Sequence, residues 1–336
     1  MSAVEQENPS SQLPEDLPPV QPPSAGFIIQ LFVVPGLIVL AIVAVYLLFG
    51  RLATGEQDWR SQVVELRHPN EHRRWRGATG LAQILKADQE SGSSGQNYAE
   101  NKEFAQALVD LLADEIRRSP QTESDLKIQA YLARALGLFD LPDLAVPALI
   151  QAMQPGIDRE VRKNALLAIA SMSDRLAKKE VPLSSTGLSD ELLKASKDED
   201  PLIRQLASYT LGLFSAEWST TRLEVMLADS DFCTRANAAM ALARQHDVRG
   251  FAVFKEILQR GTPAGNSGSA GTDADAETIV ALKNCLSPAI ESCADKLSEA
   301  ERTELVALVQ PIAEKHSLPG MRVEAQKALQ ALRRPQ

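Results

Sequence analysis

Cysteine is nearly absent from this chain: Cys233, Cys285 and Cys293 are the three in 336 residues. An odd number so small excludes a disulfide framework, and none of the three stands in a C-x-x-C or other zinc-ligand spacing. That usage fits a reducing compartment. Cys285 and Cys293 lie eight residues apart, near one face of a helix, and read as small core residues rather than a nucleophile pair. Histidine is almost as sparse, with His68, His72, His246 and His316. Only His68 and His72 are close, and Pro69 between them breaks the helical turn that would present two metal ligands together. Basic side chains are the minority charge, 35 Lys and Arg against 44 Asp and Glu, which argues against nucleic acid as the principal ligand. The Gly-rich stretch 261–271 lacks the Gly-Lys-Ser/Thr ending of a phosphate-binding loop and follows no strand pattern. No metal, cofactor or catalytic residue is therefore expected.

What the chain does contain, near its start, is one long apolar run. Residues 27–49 carry no charge, and Gln30 is their one strongly polar side chain. As a helix they reach roughly 35 Å, enough to cross a hydrocarbon core of ~30 Å with some tilt. A secretory signal is disfavoured, because residues 1–26 hold no Lys or Arg, the run exceeds ~15 residues and no small-x-small cleavage site follows. Pro35-Gly36 sits one to two turns inside the run, where it kinks the helix or marks the start of its regular part. Residues 1–26 bring Glu5, Glu7, Glu15 and Asp16, whereas the 26 residues after the run bring Arg51, Arg60, Arg67, Arg73, Arg74 and Arg76. The positive-inside rule then places the N-terminus outside and the rest in the cytoplasm. The leader is rich in proline and acid, too poor in apolar side chains to fold, and reads as an extended tail. Residues 50–56 read as a juxtamembrane linker.

From residue 57 to 334 the apolar positions recur at three- and four-residue steps, with no alternating run of strand length. Ile157, Val161, Ala165, Ala168, Ile169 and Met172 fall on one stripe, as do Leu305, Leu308, Val309 and Ile312. Pro, Gly and Ser break this pattern in pairs, which makes helical hairpins, about seven of them. The hairpins repeat. A basic residue is followed at +3 and +6 by small ones: Arg74 by Gly77 and Gly80, Lys127 by Ala130 and Ala133, Arg162 by Ala165 and Ala168. The same holds for Arg204 with Ala207 and Thr210, Arg235 with Ala238 and Ala241, and Arg322 with Ala325 and Ala328. The sixth unit, around Thr278 and Ala281, is degenerate, and residues 261–275 read as a flexible insert within it. A single hairpin cannot bury its apolar face, so the hairpins must stack into an all-α solenoid.

The segments around Asp158, Asp200-Pro201-Leu202-Ile203-Arg204 and Asp231-Phe232-Cys233-Thr234-Arg235 resemble the second helix of HEAT repeats, including the bacterial HEAT-like variety. The resemblance covers roughly residues 57–334 and is strongest over 143–245. It implies a right-handed stack of antiparallel helix pairs whose second helices line a concave face that typically grips protein or peptide. It implies no particular chemistry.

Five anchors have an acid or Asn four residues earlier: Asn70 to Arg74, Glu123 to Lys127, Asp158 to Arg162, Asp200 to Arg204 and Asp231 to Arg235. With Arg322 they form a ladder that reads either as a binding row for a charged peptide or as helix caps with i,i+4 pairs. The second reading needs only ordinary helix chemistry. A second candidate set, Arg51, Trp59, Arg73, Arg74, Trp75 and Arg76, follows the apolar run and reads either as a membrane-surface contact or as part of the first hairpin. The nearby acids dilute its charge to a net +2 over residues 51–76. The expected protein is thus a single-pass, membrane-anchored scaffold for an unidentified protein or peptide, in a membrane of bacterial inner-membrane type. An enzyme or a regulatory subunit of an enzyme complex, of the HEAT-like lyase or chaperone type, is the rival.

Overall fold

The computed structural model describes residues 26, 29–53, 58–92, 95–118, 120, 122–262 and 273–334. The chain divides into two compact units, Met1–Gln57 and Asp58–Gln336. Nearly all of the expected extended leader, residues 54–56 of the expected juxtamembrane linker and most of the insert lie outside the described residues, while linker residues 50–53 continue the helix that follows the apolar run.

In the first unit, a π-helical turn, Ile29–Val33, leads into helix α1, Val34–Ala53. Pro35 has no N–H to return to the preceding turn, which is where the wider winding sits. Residues 29–46 form a helix long and apolar enough to cross a membrane, and none of that stretch is buried within the protein.

The second unit is an α-solenoid whose described residues form seven hairpins. The first pairs α2 (Trp59–Leu66) with α3 (Glu71–Ser91), the second α4 (Lys102–Arg118) with α5 (Glu123–Leu136), the third α6 (Pro142–Ala152) with α7 (Arg159–Lys178). The fourth pairs α8 (Leu188–Ala195) with α9 (Pro201–Leu211), and the fifth α10 (Glu217–Met226) with α11 (Phe232–Arg244). The sixth joins α12 (Phe251–Arg260) to α13 (Asp273–Asn284), which continues through a π turn, Cys285–Ala289, into α14 (Ile290–Cys293). The seventh pairs α15 (Glu299–Lys315) with α16 (Pro319–Leu332).

Local chemistry sets the boundaries. Asp58, Asn70, Asp158, Asp200 and Asp231 each accept a backbone N–H of the first turn they precede. Thr122 with Asp125 and Ser298 with Glu301 close capping boxes, and Pro142, Pro201 and Pro319 start helices where no N–H is needed. The π turn in the sixth hairpin carries Pro288, so this unit departs from its neighbours in winding as well as in sequence.

Second helices stack on second helices: α5 on α7, α7 on α9, α9 on α11. The small residues of the repeat are what permit this. Gly137, which ends α5, lies where a Cβ would meet the Ala168 backbone at 2.5 Å, and Gly212, which ends α9, abuts Ala241 in the same way. Ala168 and Ala241 are the +6 residues after their anchors, Arg162 and Arg235. Helix α11 feeds both hydrophobic clusters, giving Ala238, Ala241 and Leu242 to the one behind it and Ala236, Ala239, Met240 and Ala243 to the one ahead. The interior therefore continues through the stack.

Candidate functional site

The charged ladder runs along the turns that join first to second helices. Of the residues expected there, Asn70, Asp158, Asp200 and Asp231 are N-caps, accepting from the N–H of Arg73, Glu160, Leu202 and Thr234 respectively. Glu123 is not a cap, because Thr122 fills that role; it pairs with Lys127 at 2.8 Å, the one expected i,i+4 pair that closes.

The arginines reach further than the expected pairing. Arg204 donates through Nε and Nη2 to the two carboxylate oxygens of Asp229, both at 2.9 Å, and through Nη1 to the carbonyls of Asp198 and Glu199. Arg235 repeats this with the Glu256 carboxylate and the carbonyls of Asp229 and Ser230. Arg162 binds the Met153 carbonyl and the Asp198 carboxylate, and Arg74 bridges Glu115 and Asp125. Arg322, in the last hairpin, donates to the carbonyls of His316 and Ser317. Among the first four, each carboxylate partner belongs to the next hairpin. The reason is geometric: the acid four residues back is committed to the helix start, and close stacking brings the next repeat's carboxylate within reach.

Those partners, Glu115, Asp198, Asp229 and Glu256, were not singled out by repeat spacing. Asp198 and Asp229 did leave a signal, an Asp-x-Asp pair at each turn. Burial alone would push the Asp229 carboxyl up, but the hydrogen bonds from Arg204 and from the Asp231 N–H outweigh it and hold it below the usual carboxylate range. Glu256 is held low in the same way by Arg235 and Arg260 against its burial. The opposite edge carries a second cross-link: Arg175 binds Asp140 and the Phe139 carbonyl, and Lys179 joins it on Asp140.

The expected membrane-surface set separates. Trp59 is 5% exposed and stacks on Phe104 at 4.6 Å, so its ring belongs to the core of the first hairpins rather than to a surface. Arg73 pairs with Glu65 and Arg74 is buried in the ladder, whereas Trp75 and Arg76 are exposed. Arg51 lies in α1, and its side chain is outside the described residues.

A cavity of about 560 Å³ opens between the end of α7, the 179–187 linker and the start of α10, with Phe214, Trp218, Pro182 and Leu188 in its walls. Glu180 is the one carboxylate among its lining residues. Burial pushes the Cys293 thiol up to about 12 and the Cys285 thiol higher still, so neither is a thiolate near neutral pH. Among the described residues, no three His, Cys, Asp or Glu side chains group where they could hold a metal ion.

No family model matches the chain, and no curated protein matches it. Solved structures of similar shape include the E. coli protein YibA, 14% identical, with 85% of this chain and 96% of that one covered and a TM-score of 0.43. A designed armadillo repeat protein in complex with the peptide (KR)4 is 14% identical over 82% of this chain and 99% of its own, with a TM-score of 0.38. Human deoxyhypusine hydroxylase is 16% identical over 84% and 98%, with a TM-score of 0.31.

Proposed function

We propose that the chain is a membrane-anchored scaffold that offers a preformed helical-repeat surface to a protein or peptide partner. The observation that carries this reading is the ladder itself. Arg74, Arg162, Arg204 and Arg235 are consumed in fixing one hairpin to the next, which supports a structural ladder over a charged binding row or catalytic groups. A stack locked in this way loses little conformational freedom when it binds. The anchor is the apolar helix at 29–46, and the arginine excess after it supports an N-out orientation with the solenoid in the cytoplasm.

Crosslinked pull-downs from native membranes test the scaffold, with the full chain as bait beside a bait lacking the solenoid. A defined protein set lost with the solenoid supports the reading; no specific capture from the full chain overturns it. Alkaline extraction tests the anchor and protease access on intact cells tests the orientation. Release of the chain by carbonate, or digestion of the solenoid from outside, would reverse those two parts separately.

The cavity beside Trp218 favours a second reading, because its volume falls in the ~300–1,000 Å³ range of small-molecule sites. A purified chain that retains a small molecule or shows turnover would place the protein with enzymes or their regulatory subunits.

A further inference from the structure

Four turns inside the hairpins share one device, in which a side chain accepts the backbone N–H two residues ahead. Asp198 accepts from Asp200 at 3.0 Å and Asp229 from Asp231 at 2.9 Å. At the two ends of the stack an imidazole does the same: His68 Nδ1 accepts from Asn70 at 3.0 Å and His316 Nδ1 from Leu318 at 3.1 Å. The choice between acid and imidazole follows the ladder. Asp198 and Asp229 each also receive an arginine from the preceding hairpin, Arg162 and Arg204. The turn at His68 belongs to the first hairpin of its unit, and the turn at His316 follows the sixth hairpin, where Thr278 stands in the anchor position. Where, among the described residues, no arginine arrives from a preceding hairpin, a buried carboxylate would lack that counter-charge, and a neutral acceptor serves instead.

A neutral acceptor of this kind works in one protonation state. An imidazole accepts at Nδ1 only while that nitrogen carries no proton; once protonated it is a donor facing another donor, the Leu318 N–H. His316 is 4% exposed, so water cannot take over. The charged side chain acting on its ring is Arg322 of α16, and among the described residues no carboxylate of α12, α13, α14 or α15 acts on it. His68, by contrast, is only half-buried.

We propose that the seventh hairpin is an acid-labile cap: protonation of His316 breaks the turn between α15 and α16 and frees α16 from the sixth hairpin while the arginine-tied hairpins hold. Helix α16 covers the π turn at Cys285–Ala289 and α14, so its release uncovers an apolar face that includes Leu286 and Ile290. Burial, with Arg322 adding to it, sets the His316 pKa below the ordinary 6.5 in the folded chain. The turn's contribution is therefore complete above that value and is lost as pH falls from 6.5 through the lower folded value.

Hydrogen exchange on the full-length chain, expressed as protection factors at about pH 7.5 and about pH 5.5, tests this against His316→Asn, whose amide accepts the same N–H at either pH. The wild-type α16 amides should lose up to about tenfold more protection than the variant's on acidification, the limit for a group protonated only when released. Amides of α9 should show no such difference, and His68→Asn should leave α16 unaltered. An equal loss in wild type and His316→Asn, or a loss spread evenly over α9 and α16, overturns the proposal. Titration of the wild-type imidazole by NMR decides it even if the variant does not fold: a His316 midpoint at or above 6.5 overturns it.

Discussion

Arg204 and Asp229 face each other across two hairpins with both guanidinium edges engaged, the side chains 13% and 12% exposed. The pair ties the fourth hairpin to the fifth, and the same guanidinium closes the turn that begins its own helix by holding the Asp198 and Glu199 carbonyls. Removing it leaves the shielded Asp229 carboxylate without its ion-pair donors, though still holding the Asp231 N–H, and takes the guanidinium from two carbonyls. Arg204→Ala should cost about 2–4 kcal/mol. Thermal melts followed by helical circular dichroism would show it. Partner binding per folded molecule should fall less than stability does, and the reverse pattern would make the ladder a binding row.

Gly137 predicts a cost of a different kind. A Cβ there would meet the Ala168 Cα at 2.5 Å and its carbonyl oxygen at 2.9 Å, atoms of a helix backbone that cannot turn aside. Gly137→Ala should therefore destabilise by about 1–3 kcal/mol, although alanine is the better helix former. Urea melts of Gly137→Ala beside Gly320→Ala in α16, where nothing lies within 4 Å of the added carbon, separate the clash from the general effect of glycine replacement.

The hairpin count and the helix caps were legible because both are local. A stripe at helical spacing, a proline at N1 and an Asp before an apolar run report on a few neighbouring residues. The ion pairs between hairpins were not legible, because Arg162 to Asp198 and Arg204 to Asp229 join residues 36 and 25 apart. Their partners are fixed by how closely two helices approach. That approach depends on pairs such as Gly212 and Ala241, whose register emerges only when repeats are laid against one another. Trp59 stayed between two readings for a similar reason. Its place after the apolar run suggests an interface, while Phe104, which claims its ring, lies in the next hairpin.

Acid should loosen the ladder in a window well below that of His316. The Asp229 carboxyl is held below its ordinary 3.8, since the hydrogen bonds from Arg204 outweigh the burial that would raise it. A depressed carboxylate contributes stability that is present above the unfolded value and lost as pH falls through the folded one. Wild-type stability should fall as pH drops from about 5 to about 3, and Asp229→Asn, less stable at neutral pH, should fall less steeply over the same range. Urea melts across that range compare the slopes. Parallel slopes would mean that Asp229 does not carry its share of the acid response.

Two tryptophans sixteen residues apart should answer truncation in opposite ways. Trp59 is 5% exposed, stacked on Phe104 with the Arg60 guanidinium 4.5 Å above its ring, and Phe104 in turn meets Phe139 edge-on. Emptying that position removes the first ring of a chain that links the first two hairpins, so Trp59→Ala should cost about 3–5 kcal/mol. Trp75 is 49% exposed on α3, and Trp75→Ala should stay within about 0.5 kcal/mol. Urea melts of the two variants test the contrast, and intrinsic fluorescence with anionic vesicles tests where each ring resides. A blue shift that survives Trp59→Phe but vanishes with Trp75→Phe would leave Trp75, with Arg76 beside it, as the surface group of the first hairpin. A shift that vanishes with Trp59→Phe would mean that the hairpin opens at the lipid and gives up its core ring.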